Sequence, residues 1–200
     1  MAMAQAPIGR PGITFNSILC TGMNLWFRMT KILLLTWIWR RPFALTDVSR
    51  LKFRVWPLDL DMNFHVNNGR YLALMDLGRV DLMVRAGVFR KAIRRGWTPV
   101  VASIHITFRH SLYLWQHFHL RTKVVGWDEK WFYIEQDFSA GGKLAARALV
   151  KAALRTRGGT VPTNEVLALA GFGPGTPVIE LPKEWADLVA ADAHLNKRLK

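Results

Sequence analysis

The succession of two hydrophobic periods along the chain limits its fold more than any other feature. One stretch of helical period, from about Asn68 to Ala86, follows a short stretch of strand period and precedes four more in a row. In the first strand Leu51, Phe53 and Val55 alternate with Lys52, Arg54 and Trp56. The helical stretch contains no proline. Ala73, Leu77, Val80 and Val84 form an apolar seam broadened by Leu74 and Leu82, and Asp81 and Arg85 stand four apart on the polar side. Gly87 is a suitable stop after Ala86. A mid-helix glycine costs about 1 kcal/mol relative to alanine, so Gly78 predicts close packing of the helix against a sheet.

Four segments of period two come next. Val100, Ala102, Ile104, Ile106 and Phe108 share one face of a strand from Val100 to Arg109. Phe118, Leu120, Thr122 and Val124 do so from His117 to Val125. Phe132, Ile134 and Phe138 alternate with Tyr133, Glu135 and Asp137, and a last run extends from Leu144 to Ala152. Turn signals at Gly126 to Lys130 and at Gly141-Gly142 separate them. The order suits an α+β domain in which a mostly antiparallel sheet of about five strands buries one face around a single long helix. The other face then carries Lys52, Arg54, Arg109, Arg121, Lys123, Arg147 and Lys151.

The flanks differ from this core, which occupies residues 47–157. Residues 1–46 contain no Asp or Glu, and the run from Met23 to Arg41 mixes tryptophans with basic residues. Its apolar stretch is interrupted by Arg28 and Lys31 and is too short to span a bilayer. Such a composition suits peripheral contact of residues 23–41 with a membrane surface, or a helix packed on the domain or on another subunit. Residues 158–200 form a C-terminal extension: a short helix over Asn164 to Ala170 capped by Thr163, a loop marked by Pro174, Pro177 and Pro182, and a last helix from Glu184 to Leu195.

Lys and Arg outnumber Asp and Glu 28 to 14, for a net charge of +14. The excess favours phosphate-bearing ligands or anionic surfaces, or serves solubility alone. No helix-turn-helix, zinc or single-strand motif accompanies it, so nucleic acid is not an expected partner. Cys20 is the single cysteine, which excludes a disulfide within the chain and points to a reducing, cytoplasmic compartment. His117 and His119 have a metal-compatible spacing but no acidic partner nearby, so neither a metal nor a cofactor is expected.

The most polar loop lies between the first strand and the helix: Asp59, Asp61, Asn63, His65, Asn67 and Asn68. One helix cap explains one Asn, not the whole set. The unpaired N–H groups and dipole of an entering helix stabilise a developing oxyanion. A carboxylate and an imidazole beside them supply what acyl transfer from a thioester requires.

The run from Asp59 to Tyr71 resembles the signature of the 4-hydroxybenzoyl-CoA thioesterase-like branch of hotdog proteins, and its Asn-x-His-Val-Asn-Asn form is similar to that of acyl-ACP thioesterases. The region from Leu51 to Arg155, with Arg70-Tyr-Leu72 and Gly126-Trp-Asp-Glu-Lys-Trp-Phe-Tyr133, resembles the thioesterase superfamily member six-like group. The resemblance implies a hotdog fold and hydrolysis of an acyl-CoA or acyl-ACP. It makes Asp61 the base or nucleophile, Asn63 and His65 the polar pair that positions substrate and water, and the backbone N–H near Asn68 the oxyanion donor. Tyr71, Leu72, Met75 and Arg79 would border the acyl chain, while Arg109, Arg121, Lys123 and Arg147 are candidates for the phosphates. It also implies a homodimer or homotetramer. The further catalytic Cys or Glu of acyl-ACP thioesterases is matched to no residue here, since Cys20 lies outside the resembling region. A non-catalytic acyl-lipid or membrane-associated binding module on the same fold is the alternative.

Overall fold

The computed structural model describes residues 25–30, 32–34, 43–173, 176 and 181–198. Cys20, Pro174, Pro177 and much of the 23–41 segment lie outside the described residues. Residues 25–30 and 32–34 are helical. The ordered core then runs through β1 (Ser49–Arg54), a 3-10 turn (Pro57–Asp59), α1 (Asn68–Arg85), α2 (Val88–Arg94), β2 (Thr98–Phe108), β3 (His117–Trp127), β4 (Phe132–Ala140) and β5 (Lys143–Thr156). The two-residue β6 (Gly159–Thr160), α3 (Thr163–Leu169) and α4 (Lys183–Arg198) complete it.

The sheet is antiparallel in the order β1-β3-β4-β5-β2, with β6 appended to β5. Placing β2 beside β5 rather than β3 leaves β1 and β2 as opposite edges. This sheet packed on the central helix α1 is the hotdog fold, as expected. The β4–β5 hairpin closes on Gly141-Gly142, both with positive φ (55° and 77°), because a two-residue turn that follows strand twist needs left-handed backbone at both positions.

Alternation along β3, β4 and β5 sends Phe118, Leu120, Phe138, Ala146, Ala148 and Val150 into the core, where each is nearly or fully buried. Phe118 and Phe138 stack 6.0 Å apart, and Tyr71 of α1 meets Phe138 edge-on at 4.8 Å. Full burial of side chains this large contributes roughly 1.5–3 kcal/mol each, so this layer fixes where α1 sits.

The helix meets the sheet on a face rotated from the predicted seam. Leu74, Leu77 and Leu82 of that seam are buried as expected, but Ala73, Val80 and Val84 are only half-buried, and Tyr71, Met75 and Gly78 are buried in their place. The cause is Gly78 itself, which stands at the point of closest approach. A Cβ there would meet Thr122 Oγ1 in hard overlap and lie 2.8 Å from Gln136 Nε2. A glycine adds no hydrophobicity, so a seam drawn through apolar side chains misses the face it centres. Asp81 likewise lies on the buried side rather than a polar one. It accepts a 2.5 Å hydrogen bond from Ser49 Oγ of β1 and pairs with Arg85 at 2.9 Å.

Three further expectations need correction. Gly87 ends α1 at φ 69° but also starts α2, a helix the sequence reading did not anticipate. In β2 a bulge between Val101 and Ser103 shifts the register, so Val101 faces with Ile104 and Ile106 while Val100 turns to the other side. Thr163 is the first residue of α3, not its cap; Pro162 precedes the helix, and Thr163 Oγ1 donates instead to the Asp128 carbonyl at 2.5 Å.

The outer face of the sheet is not a purely cationic surface. Arg121 pairs with Glu135 and Asp137, and Arg147 pairs with Asp137 at 2.7 Å. The C-terminal helix α4 also lies on this side. Trp185 Nε1 donates to Glu135 at 3.0 Å, and Asp192 binds Lys151 at 3.2 Å and accepts from Ser103 Oγ at 3.3 Å.

Candidate active site

The polar loop is anchored by Asp59, whose side chain is 1% exposed. Its Oδ2 accepts from Arg28 Nη2 of the N-terminal helix at 2.6 Å and from the Trp56 backbone N–H at 3.0 Å. Its Oδ1 accepts from Arg70 Nε and Nη2 on α1 at 3.1 and 2.9 Å. A buried carboxylate is tolerated only when paired and hydrogen-bonded in this way. The backbone of Asp59 accepts from Asn67 N–H at 2.9 Å, so both ends of the loop converge on this residue.

The next residues close a tight turn. Asp61 N–H donates to the His65 carbonyl at 3.0 Å, Phe64 N–H donates to the Asp61 carbonyl at 3.1 Å, and Asn63 N–H donates to Asp61 Oδ1 at 2.8 Å. That last bond is a short Asp-centred turn of the kind this residue type favours. The free Oδ2 then faces His65 Nδ1 at 3.5 Å, with both side chains partly accessible. Asp61 and His65 are thus brought together, and the exposed Asn63 rides on the same turn.

Beyond the turn, Val66 N–H bonds the Leu112 carbonyl at 2.9 Å, and His65 pairs with Tyr113 in the β2–β3 connection. Asn67 is the cap of α1, its Oδ1 accepting from Gly69 N–H at 2.8 Å. Asn68 is therefore the first helical residue, and its backbone N–H has no acceptor among the described residues. This is the position at which a helix leaves an orphan donor and a positive dipole end.

The other nominated residues divide into separate groups. Tyr71 and Met75 are buried in the core, and Leu72 is exposed. Burial holds the Tyr71 hydroxyl up at about pKa 12. Arg79 is buried too, donating to Gln136 Oε1 at 2.7 Å and pairing with Asp76. Burial lowers its pKa, with Asp76 acting in the opposite direction. Gln136 completes that network by donating from Nε2 to the Met75 carbonyl and to Thr122 Oγ1, at 3.0 and 2.9 Å. Arg109 is exposed just past the end of β2, while Arg121, Lys123 and Arg147 stand on the outer face of the sheet. On the β1 side His117 and His119 stand opposite Arg54 and Lys52, which oppose a cation between them.

Two groups escaped sequence reasoning. Arg28 and Arg70 converge on Asp59 from different helices, a long-range relation with no local signal. Gln136 had a signal: it is the polar residue interrupting the apolar face of β4. An apolar cavity of about 150 Å³ lies along the C-terminal half of α1, between the helix and β2, β4 and β5. Val80, Met83, Val101 and Ile134 line it, and Asp76 and Arg79 are its charged residues. Leu72 and Met75 do not line it.

Comparison with known proteins places this geometry in a family. Residues 55–170, which contain the turn, the central helix and β2 to β6, match the thioesterase-like superfamily, and the chain belongs to it. Protein THEM6 of Xenopus laevis is 44% identical over 86 residues, 43% of this chain and 42% of that protein. A probable thioesterase of Saccharomyces cerevisiae is 27% identical over 122 residues, 58% of this chain and 52% of that protein. The matches thus span about half the length of these relatives or less. Among solved structures, a 4-hydroxybenzoyl-CoA thioesterase variant bound to 4-hydroxybenzoyl CoA superposes with a TM-score of 0.56 at 16% identity, covering 62% of this chain and 98% of that one. At that identity the likeness concerns the fold.

Proposed function

We propose that the chain hydrolyses acyl thioesters of coenzyme A or acyl carrier protein to a free carboxylic acid and a thiol. The observation that carries this reading is the turn itself, in which the Asp61 carboxylate meets the His65 imidazole at 3.5 Å, three residues of chain before the orphan N–H of Asn68. Membership of the thioesterase-like superfamily supports it. Asp61 takes a proton from water as the oxygen attacks the thioester carbonyl, or attacks that carbon itself, in which case water then hydrolyses the acyl–Asp61 anhydride left after the thiolate departs and restores the carboxylate. The Asn68 N–H and the N-terminal dipole of α1 receive the negative charge that develops on the carbonyl oxygen. Collapse of the tetrahedral species breaks the C–S bond, and the thiolate leaves without a strong acid. His65 and Asn63 orient the water and the substrate.

We place the acyl chain toward the apolar cavity beside α1. Asp76, the first residue of α1 to border it, lies eight positions beyond Asn68, about 12 Å along the helix axis. A chain that spans this distance is medium or long. Of the four cations nominated for phosphate, Arg109 suits the role best, because Arg121 and Arg147 already pair with acids and Lys123 stands opposite Glu135. The edge strand β2, bonded only to β5 and exposing Val101 and Phe108, supports self-association there as a homodimer.

The test is thiol release from short, medium, long and aromatic acyl-CoAs by the native protein and by Asp61→Asn. Turnover that collapses in the variant, by at least about a hundredfold, upholds the assignment. Undiminished turnover removes Asp61 from its role, and no turnover by a folded preparation with CoA or ACP substrates rejects the enzyme reading.

A further inference from the structure

The rim of this turn carries an apolar surface that the chemistry does not use. Met62 and Phe64 project from the Asp61 turn and are 95% and 77% exposed. Tyr113 and Trp115, in the β2–β3 connection, are also exposed, as are Trp26 and Phe27 on the N-terminal helix, at 73% and 78%. Hydrogen bonding ties the three segments to one end of the molecule. His65 pairs with Tyr113, Trp115 N–H donates to the Val55 carbonyl at 3.1 Å, and Arg28 donates both to the Arg54 carbonyl at 3.1 Å and to Asp59. The opposite side of the N-terminal helix already packs against the domain, where Arg28 and Ile32 are buried.

Backbone conformation singles out the same rim. Among the described residues, Phe64 (φ 60°) and Trp115 (φ 62°) are the non-glycine residues with positive φ. Such a conformation is strained in a bulky residue. Here the strain presents an aromatic ring to solvent, where it adds nothing to the core.

Charge distinguishes between occupants. The exposed positions of β1 beside this rim are Arg50, Lys52 and Arg54, and Arg54 lies 4.9 Å over the Trp115 ring. The first 46 residues add five basic residues and no acid, within a chain of net charge +14. A second copy docking here through the same face would bring like charges together, and the free edge of β2 is the opposite edge of the sheet from β1. Exposed aromatics flanked by cations suit the interface of an anionic bilayer. No helix among the described residues is long and apolar enough to cross one.

We infer that this aromatic rim docks the protein peripherally on anionic phospholipid, with the mouth of the Asp61 turn facing the membrane. Acyl thioesters partitioned into the bilayer would then reach the turn without crossing water, a consequence that rests on the proposed hydrolase. The docking itself does not.

Flotation of the full chain with vesicles of phosphatidylcholine alone or with 30% phosphatidylglycerol (about a third anionic lipid) tests it. Partitioning onto the anionic vesicles at least tenfold above the neutral ones, weakened by salt, is the expected result. The Trp26→Ser/Phe27→Ser and Met62→Ser/Phe64→Ser pairs should each reduce it at least fivefold, with urea midpoints showing that the variants fold. Equal partitioning of native and variant proteins, or none, overturns the inference. So does a change from oligomer to monomer in the variants by sedimentation, which would assign the rim to self-association. Flotation reads binding rather than turnover, so an inactive protein that floats still supports docking.

Discussion

Arg28 of the N-terminal helix and Asp59 at the base of the polar turn form a buried ion pair of 2.6 Å, two residues ahead of Asp61. It joins a segment outside the matched family region to the loop that carries the proposed chemistry. Removing Asp59 takes the carboxylate from Arg70 and from Arg28, which retains the Arg54 carbonyl, and losing one member of a buried pair costs about 3–5 kcal/mol. Asp59→Ala should therefore lower unfolding stability by that amount. Arg28→Met should cost less, about 1–3 kcal/mol, because Arg70 and the Trp56 N–H still serve the carboxylate. Urea unfolding of the two variants gives the order, and equal losses would contradict it.

Gly78→Ala sets two effects against each other. Alanine is favoured in a helix by about 1 kcal/mol. The added methyl, however, would lie 2.8 Å from Gln136 Nε2 and 2.9 Å from Leu120 Cδ2, and closer still to Thr122 Oγ1. Gln136 and Thr122 are bonded to each other and cannot retreat freely. Overpacking of about 1–3 kcal/mol or more should win, so net destabilisation is expected. A variant as stable as the native protein in urea would show that the helix can move off the sheet.

The same region shows what was legible in the sequence. The order of periods specified one helix and its strands, since alternation through Phe118, Leu120, Thr122 and Val124 reads directly as a half-buried sheet. Gly78 signalled a close approach but not the face, because the face is centred on a residue that contributes no apolar surface. The β2 bulge and the placement of β2 beside β5 depend on pairing partners remote in sequence, so local alternation cannot show them. At the polar turn, residue types pointed to Asp61, Asn63 and His65 together. The support beneath them, Arg28 and Arg70 on Asp59, arises only when two helices meet.

Gln136 offers a prediction about polar burial. It is fully buried and links Arg79, the Met75 carbonyl and Thr122 across the helix–sheet interface. Gln136→Leu is nearly volume-conserving but takes the Gln136 acceptor from the buried Arg79 guanidinium, which keeps Asp76, and takes a donor from Thr122 Oγ1. The cost of an unsatisfied buried group is about 1–3 kcal/mol, and the charged donor should bring the total to the upper end. The double variant Gln136→Leu/Arg79→Met removes the buried guanidinium that has lost an acceptor and should recover part of the loss. A double variant whose loss equals the sum of the singles would show that the network does not couple them.

Tyr71 makes stability depend on alkaline pH. Burial raises its hydroxyl from 10.0 to about 12 in the folded protein. The unfolded chain releases that proton first as pH rises, and deprotonation favours the unfolded state. The contribution of Tyr71 is therefore intact below about pH 10 and declines as pH climbs toward the folded value. Tyr133 adds to the slope in the same direction, its pKa raised by burial and then by the hydrogen bond it donates to Asp128. Urea unfolding at about pH 9 and 11 should show a loss of stability in the native protein and a smaller one in Tyr71→Phe, which keeps the ring against Phe138 without the ionisable group. A Tyr71→Phe variant with an undiminished alkaline loss would place the titration elsewhere.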